Sequence, residues 1–172
     1  MQKKEGRNVM KIREARIEDL EQTLEIYNYE VVNGVATLDL EPKNLEDWKV
    51  WFFQHNVDNH PLYVAEEDNQ IIGYVSLSMY REKEAYKTTV ELSVYVRAEN
   101  RGQGVASALM DFMIKVARER EDTHVVVSVI TSGNEASRRL HQKFGFEFCG
   151  VIKEVGMKHG EYRDIENYQL VV

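Results

Sequence analysis

The sequence predicts a mixed α/β fold of the α+β-like kind, a sheet with helices packed on its faces. Apolar residues recur at helical spacing in four stretches, and β-branched or aromatic runs recur in seven. Their order along the chain is β α α β β β α β α β β. At 172 residues, 43% apolar and 30% charged, the chain has the size and balance of one globular domain that can bury a core without disulfides or metal.

"KIREA" is a short first strand. From Glu18 the positions Leu20, Leu24, Tyr27 and Val31 step by 4, 3 and 4, which predicts a helix over roughly Glu18 to Val32. "NGVATLDLEPKN", with Gly34 and Pro42, is a loop; Asn44 then caps a second helix whose Trp48, Trp51 and Phe52 read as core. "PLYVAEEDNQIIGYVSLSMY" is a hairpin with "EEDNQ" as its turn, and after the charged loop "REKEAYK" a further strand runs from Thr88 to Val96. Val105, Leu109, Phe112 and Val116 mark a third helix reaching about Glu119, and "THVVVSVI" is a central strand covered on both faces. "NEASRRLHQKFG" is a fourth helix, capped by Asn134 and ended by Gly145; "FEFCGVIKEV" and "RDIENYQLVV" close the chain as strands joined by "GMKHGEY".

Charge and composition narrow the function. With 29 acidic against 22 basic residues the net charge is −7, which argues against a nucleic-acid partner. No run of 18 apolar residues suits a membrane, and the charged start "MQKKEGRNVM" reads as a flexible arm, residues 1–9, on a single cytoplasmic domain of residues 10–172. Cys149 is the only cysteine and is expected half-buried in its strand. His55, His60, His124, His141 and His159 lack metal-pair spacing, so no metal is expected.

Two features carry chemistry. "RGQGVA" lies between a strand and a helix, where free N–H groups and the positive helix end attract an anion and glycines admit close approach. It lacks the Gly-Lys-Ser/Thr ending of a P-loop, and the next strand ends in Ile130, Thr131 and Ser132 with no acid for a ribose, against a dinucleotide fold. The second feature is Glu91, within "TVELSVYV". Alternation sends Val90, Leu92, Val94 and Val96 one way and Thr89, Glu91, Ser93 and Tyr95 the other. A solvated or ion-paired glutamate is the commoner explanation of such a residue; an acid beside a cleft, its pKa raised by desolvation, is the alternative.

Arg101-Gly102-Gln103-Gly104-Val105-Ala106 resembles the signature of the GNAT N-acetyltransferase superfamily: Arg or Gln, two residues, Gly, one residue, then Gly or Ala. "HPLYVAEEDNQIIGYVSLSMYREKEAYKTTVELSVYV", "NEASRRLHQKFGF" and "VGMKHGEYRD" resemble its phosphinothricin and methionine sulfoximine N-acetyltransferase branch. The resemblance implies a central, mostly antiparallel sheet of six to seven strands with about four helices, splayed at an acetyl-CoA site. It implies that residues 101–106 hold the pyrophosphate, that Val94, Tyr95 and Val96 meet the pantetheine arm, and that Asn134 and Ser137 line the same arm. Glu91 takes the general base's place, since attack needs the neutral amine. His141 stands where a general acid to the thiolate commonly sits and could protonate it or hydrogen-bond within the site.

Asn134, Ser137 and His141 share one face of the fourth helix, and Ala136, Leu140 and Phe144 a second, expected to face the core. For the acceptor, the resemblance points to Arg81, Lys83 and Tyr86, with Lys83 in place of a second arginine and without its bidentate fork. Leu38 and Asp39 replace a Phe and a Glu of the branch, implying a pocket without that aromatic wall, and Tyr162 replaces a frequent tryptophan. The implied reaction is acetyl transfer from acetyl-CoA to a small amino-acid-like amine, by a homodimer. Protein N-termini, lysines and antibiotic amines are alternative acceptors, and a non-catalytic CoA-binding module is the alternative of another class.

Overall fold

A computed structural model of the protein describes residues 9–172. The expected arm of residues 1–9 lies, Val9 apart, outside the described residues. Seven strands, β1 (Lys11–Glu14), β2 (Leu62–Glu67), β3 (Gln70–Met79), β4 (Thr89–Val96), β5 (Val125–Thr131), β6 (Glu147–Lys158) and β7 (Glu161–Val171), form one sheet in the order β1-β2-β3-β4-β5-β7-β6. Four helices join them: α1 (Leu20–Asn33), α2 (Leu45–Phe53), α3 (Val105–Arg118) and α4 (Glu135–Lys143). All neighbouring strands run antiparallel except β4 and β5.

Local chemistry sets the boundaries. Asp19 accepts from Arg16 N at 2.7 Å and from both terminal nitrogens of Arg13 at 2.7 and 2.9 Å. The chain therefore enters through a 3-10 turn at Ile17–Asp19, and α1 starts at Leu20 rather than Glu18. Asn44 caps α2 as expected, its side chain accepting from Asp47 N at 2.9 Å. Asp68 and Asn69 take positive φ of 53° and 64°, so the expected five-residue turn contracts to a two-residue hairpin. His159 and Gly160 do the same at 53° and 74°, which draws most of "GMKHGEY" into β6 and β7.

Buried side chains form a cluster on each side of the sheet. Val90, Leu92, Val126 and Ile130 pack with Leu109, Met110 and Met113 of α3, while Leu62, Val64 and Tyr74 pack with Ile26 of α1 and Trp48 and Phe52 of α2. Burying each such side chain contributes roughly 1.5–3 kcal/mol. β5 departs from expectation: Val126, Ser128 and Ile130 are buried, but Val127 and Val129 are only half-buried, and Val129 borders a cavity on that face. Cys149 is exposed rather than half-buried. Phe148 pairs with Tyr168 and Gly150 with Asn167, so Cys149 is the extra residue of a bulge on an edge strand.

The feature that makes a site is where β4 and β5 stop pairing. Their parallel ladder covers only Thr89 to Glu91 against Val125 to Val127. Beyond it β4 follows β3 to Val96 and β5 follows β7 to Thr131. The strands part, as the splayed arrangement requires, and Glu91 occupies the last shared rung.

Candidate active site

A cavity of about 590 Å³ fills the fork, walled by Leu92 to Val96 of β4, Ser128 to Thr131 of β5, the turn before α3 and one side of α4. At its far end Gly102 and Gly104 hold φ of 71° and 88°, and a Cβ on either would meet nothing within 4 Å. Only glycine adopts this turn freely, and its outer side is open. The first helical bond beyond it is Ala108 N to Gly104 O at 3.0 Å, so the amides of Val105, Ala106 and Ser107 precede the ladder. An anion-accepting helix end faces the cavity.

Arg101 turns back from this turn. It donates to Glu30 Oε2 at 2.9 Å and to Val96 O at 3.2 Å. Glu30 is buried and its other oxygen accepts from Ala36 N at 3.0 Å, clasping the α1–α2 loop to the glycine turn. A Cβ on Gly34 would come within 1.7 Å of Glu30 Oε1, which explains the glycine there. From the other side Lys158 Nζ donates to Thr37 O at 2.7 Å. Ala36 of this pinned loop borders both cavities of the site.

α4 is turned differently from expectation. His141 is 2% exposed and belongs to the inward face, while Ala136 is exposed along the fork. Leu140 and Phe144 do pack on the core, but as half-buried flanks. His141 Nδ1 lies 2.7 Å from Ser137 O, which can only accept, so Nδ1 carries a proton. Nε2 lies 2.7 Å from Ser128 Oγ. Burial lowers the pKa of His141, and in the neutral ring Nε2 accepts from the Ser128 hydroxyl.

A second cavity, about 520 Å³, opens on the opposite sheet face and meets the first along Ser93, Tyr95, Val129 and Thr131. Cross-strand pairs form its floor: Ser78 opposite Glu91, Ser76 opposite Ser93 and Tyr74 opposite Tyr95. Burial raises the pKa of Glu91. Its wall is aromatic despite Leu38 and Asp39: Tyr27 stacks on Trp48 at 4.8 Å and Trp48 on Trp51 at 4.1 Å. Tyr27 donates to Asp39 at 2.5 Å, and Lys43 lies 3.1 Å from the same carboxylate. Burial tends to raise Asp39, but the Tyr27 and Lys43 contacts outweigh it and hold the pKa low.

The fork gathers Val94, Tyr95, Val96, Arg101, Gly102, Gly104, Val105, Ala106, Asn134, Ser137 and His141 around one space. Gln103 is outside its wall, its amide donating to Glu99 O at 2.9 Å. Arg81, Lys83 and Tyr86 line neither cavity; Arg81 lies over the rings of Tyr80 and Tyr86 at 4.9 and 5.6 Å. Sequence reading missed Tyr27, Trp51, Tyr74, Ser76 and Ser128. The alternation of "GYVSLS", polar at every second position on the strand beside Glu91, was the available signal for two of them. Among the described residues no group of three or more His, Cys, Asp or Glu could hold a metal ion.

A family model described as the acetyltransferase (GNAT) family matches residues 18–146. The L-methionine sulfoximine/L-methionine sulfone acetyltransferase of Pseudomonas aeruginosa is 38% identical over 92% of each chain. Two solved structures superpose with a TM-score of 0.91: the ribosomal-protein-alanine N-acetyltransferase of Brucella melitensis, 39% identical over 94% of this chain and 99% of that one, and the phosphinothricin acetyltransferase of Sinorhizobium meliloti in complex with acetyl-CoA, 31% identical over 95% and 88%. Fold, forked site and relatives together define an acetyl-CoA-dependent N-acyltransferase. The chain belongs to the acetyltransferase (GNAT) family.

Proposed function

We propose that this enzyme acetylates the amine of a small amino-acid-like substrate, with Glu91 as general base. The observation that carries the reading is the pair of cavities meeting at the fork: one ends on an anion-accepting glycine turn, the other is walled by aromatic rings and holds a desolvated carboxylate. Open glycines, the free α3 amides and the parted strands suit the pyrophosphate and pantetheine of acetyl-CoA, which supplies the activated acyl group. The backbone of residues 101–106 and of Val94 to Val96 holds it, with Asn134 and Ser137 along the arm.

Glu91 removes the amine's proton; its raised pKa makes it a better acceptor than an exposed carboxylate. A β4 amide beyond the last shared rung, freed where β5 departs, polarises the carbonyl under attack. On the opposite face Ser128 borders the fork with its hydroxyl proton committed to His141 Nε2, so the departing thiolate takes its proton from solvent. His141 thus holds Ser128 in place, its own N–H being committed to Ser137 O.

Arg81, Lys83 and Tyr86, between β3 and β4, remain candidate acceptor contacts, and the names of the methionine sulfoximine and phosphinothricin relatives support an amino-acid-like acceptor. The Brucella relative's name supports a second reading, a protein N-terminus. The same proposal takes the protein as a cytoplasmic homodimer. Exposed Val151, Ile152, Val155, Met157 and Tyr162 on β6 and β7 support the dimer, and the lone exposed thiol of Cys149 suits a reducing compartment. A thiol-release assay over L-amino acids, phosphinothricin, methionine sulfone, polyamines and N-terminal peptides tests the function. Release with amino-acid-like amines is expected; release with peptides alone, or with no amine, overturns it.

A further inference from the structure

Two hydroxyls in the acceptor cavity have no partner. Tyr74 and Ser76 are each 1% exposed and line the cavity of about 520 Å³, yet neither Tyr74 Oη nor Ser76 Oγ meets a hydrogen-bonding atom of the protein. An unsatisfied buried hydroxyl costs roughly 1–3 kcal/mol, so two on one floor burden the fold unless something bound answers them. Their neighbours are satisfied: Ser78 Oγ lies 2.8 Å from His55 Nε2, and Tyr27 is bonded to Asp39 and Thr37 at 2.5 and 2.9 Å.

Register fixes their distance from the reacting end. Ser78 stands opposite Glu91, and Ser76 and Tyr74 follow at successive alternate positions on the same face of β3. Each such step is about 7 Å. The charges nearby are equally informative. Among the described residues lining this cavity Lys43 is the one cation, and it lies 3.1 Å from Asp39; Asp47 and Glu91 add further carboxylates. An anionic acceptor tail would be desolvated against aromatic rings with no free cation to meet it, and an aliphatic tail would leave both hydroxyls unanswered.

We infer that Tyr74 and Ser76 set acceptor specificity by hydrogen-bonding a neutral polar group carried one to two strand steps from the reacting amine. A sulfone, sulfoxide, amide or hydroxyl meets that requirement; a phosphinate anion or a bare alkyl chain does not. The inference rests on the proposed acceptor site and names the chemistry it selects.

Both tryptophans of the chain, Trp48 and Trp51, stand in this wall, so intrinsic fluorescence of the intact enzyme reports binding there without turnover. Titration with methionine sulfone, norleucine and phosphinothricin is expected to show the sulfone bound at least about tenfold more tightly than either rival, the scale of one satisfied hydrogen bond. Tyr74→Phe and Ser76→Ala should each bring the sulfone-to-norleucine ratio down several-fold, and neither should melt below wild type, because the deleted hydroxyl had no partner. Equal binding by wild type, tighter phosphinothricin, a ratio that survives both substitutions, or lowered melting in both variants overturns the inference. A sulfone preference without thiol release from any amine would sink the proposed reaction and leave this inference standing.

Discussion

Glu91 is a carboxylate whose surroundings oppose its charge. Burial lifts its pKa, so kcat/KM should rise with pH along a limb centred above the ordinary carboxylate value, and Glu91→Gln should abolish that limb. The same shift has a stability sign. Folded Glu91 holds its proton to higher pH than the unfolded chain does, so stability falls as pH rises from the ordinary carboxylate value through the raised one. Glu91→Gln should therefore melt higher than wild type at neutral pH, and the advantage should vanish in acid; a lower melting point at neutral pH would contradict the desolvation argument. Across the fork, Ser128→Ala and His141→Phe should each leave kcat within a few-fold of wild type, since neither passes a proton to the thiolate. Alternation in "TVELSVYV" made the orientation of Glu91 legible. The burial of His141 was not, because a polar stripe on a helix looks the same whether it meets solvent or a serine on a neighbouring strand.

Among the elements, the helices and strands that carry strong periodicity were readable to within a few residues: α3 from Val105, β4 with its two faces, α4 with Asn134 accepting from Ser137 N at 3.2 Å. What escaped depends on partners distant in sequence. The bulge that exposes Cys149, the two-residue turn at His159 and Gly160, and the open face of β5 are set by strand pairing. The glycine turn invites a direct check at this scale. Gly104→Ala should raise KM for acetyl-CoA at least about tenfold and lower stability by roughly 1–2 kcal/mol, from a Cβ forced into left-handed backbone. An unchanged KM would remove the anion-site role from the turn.

For the whole molecule, the proposed reaction divides its two tasks between the two faces of the sheet and joins them at one gap. α3 and α4 lie behind the fork, the aromatics of α1 and α2 line the acceptor side, and Glu91 sits at the last rung before β4 and β5 part. The order of elements was enough to read this layout and the resemblance enough to read the gap; the aromatic acceptor wall was hidden because Tyr27 and Trp51 are brought together only by packing of α1 on α2. Assembly is checked by sedimentation: a species near twice 20.1 kDa is expected, with Met157→Glu shifting it to the monomer. In the proposed reaction one carboxylate at the fork withdraws the amine's proton. Thiol release from acetyl-CoA by wild type and Glu91→Gln, with acetyl-CoA affinity measured alongside, decides the point. Turnover should fall about a hundredfold or more with affinity unchanged; undiminished turnover at any good acceptor would contradict it.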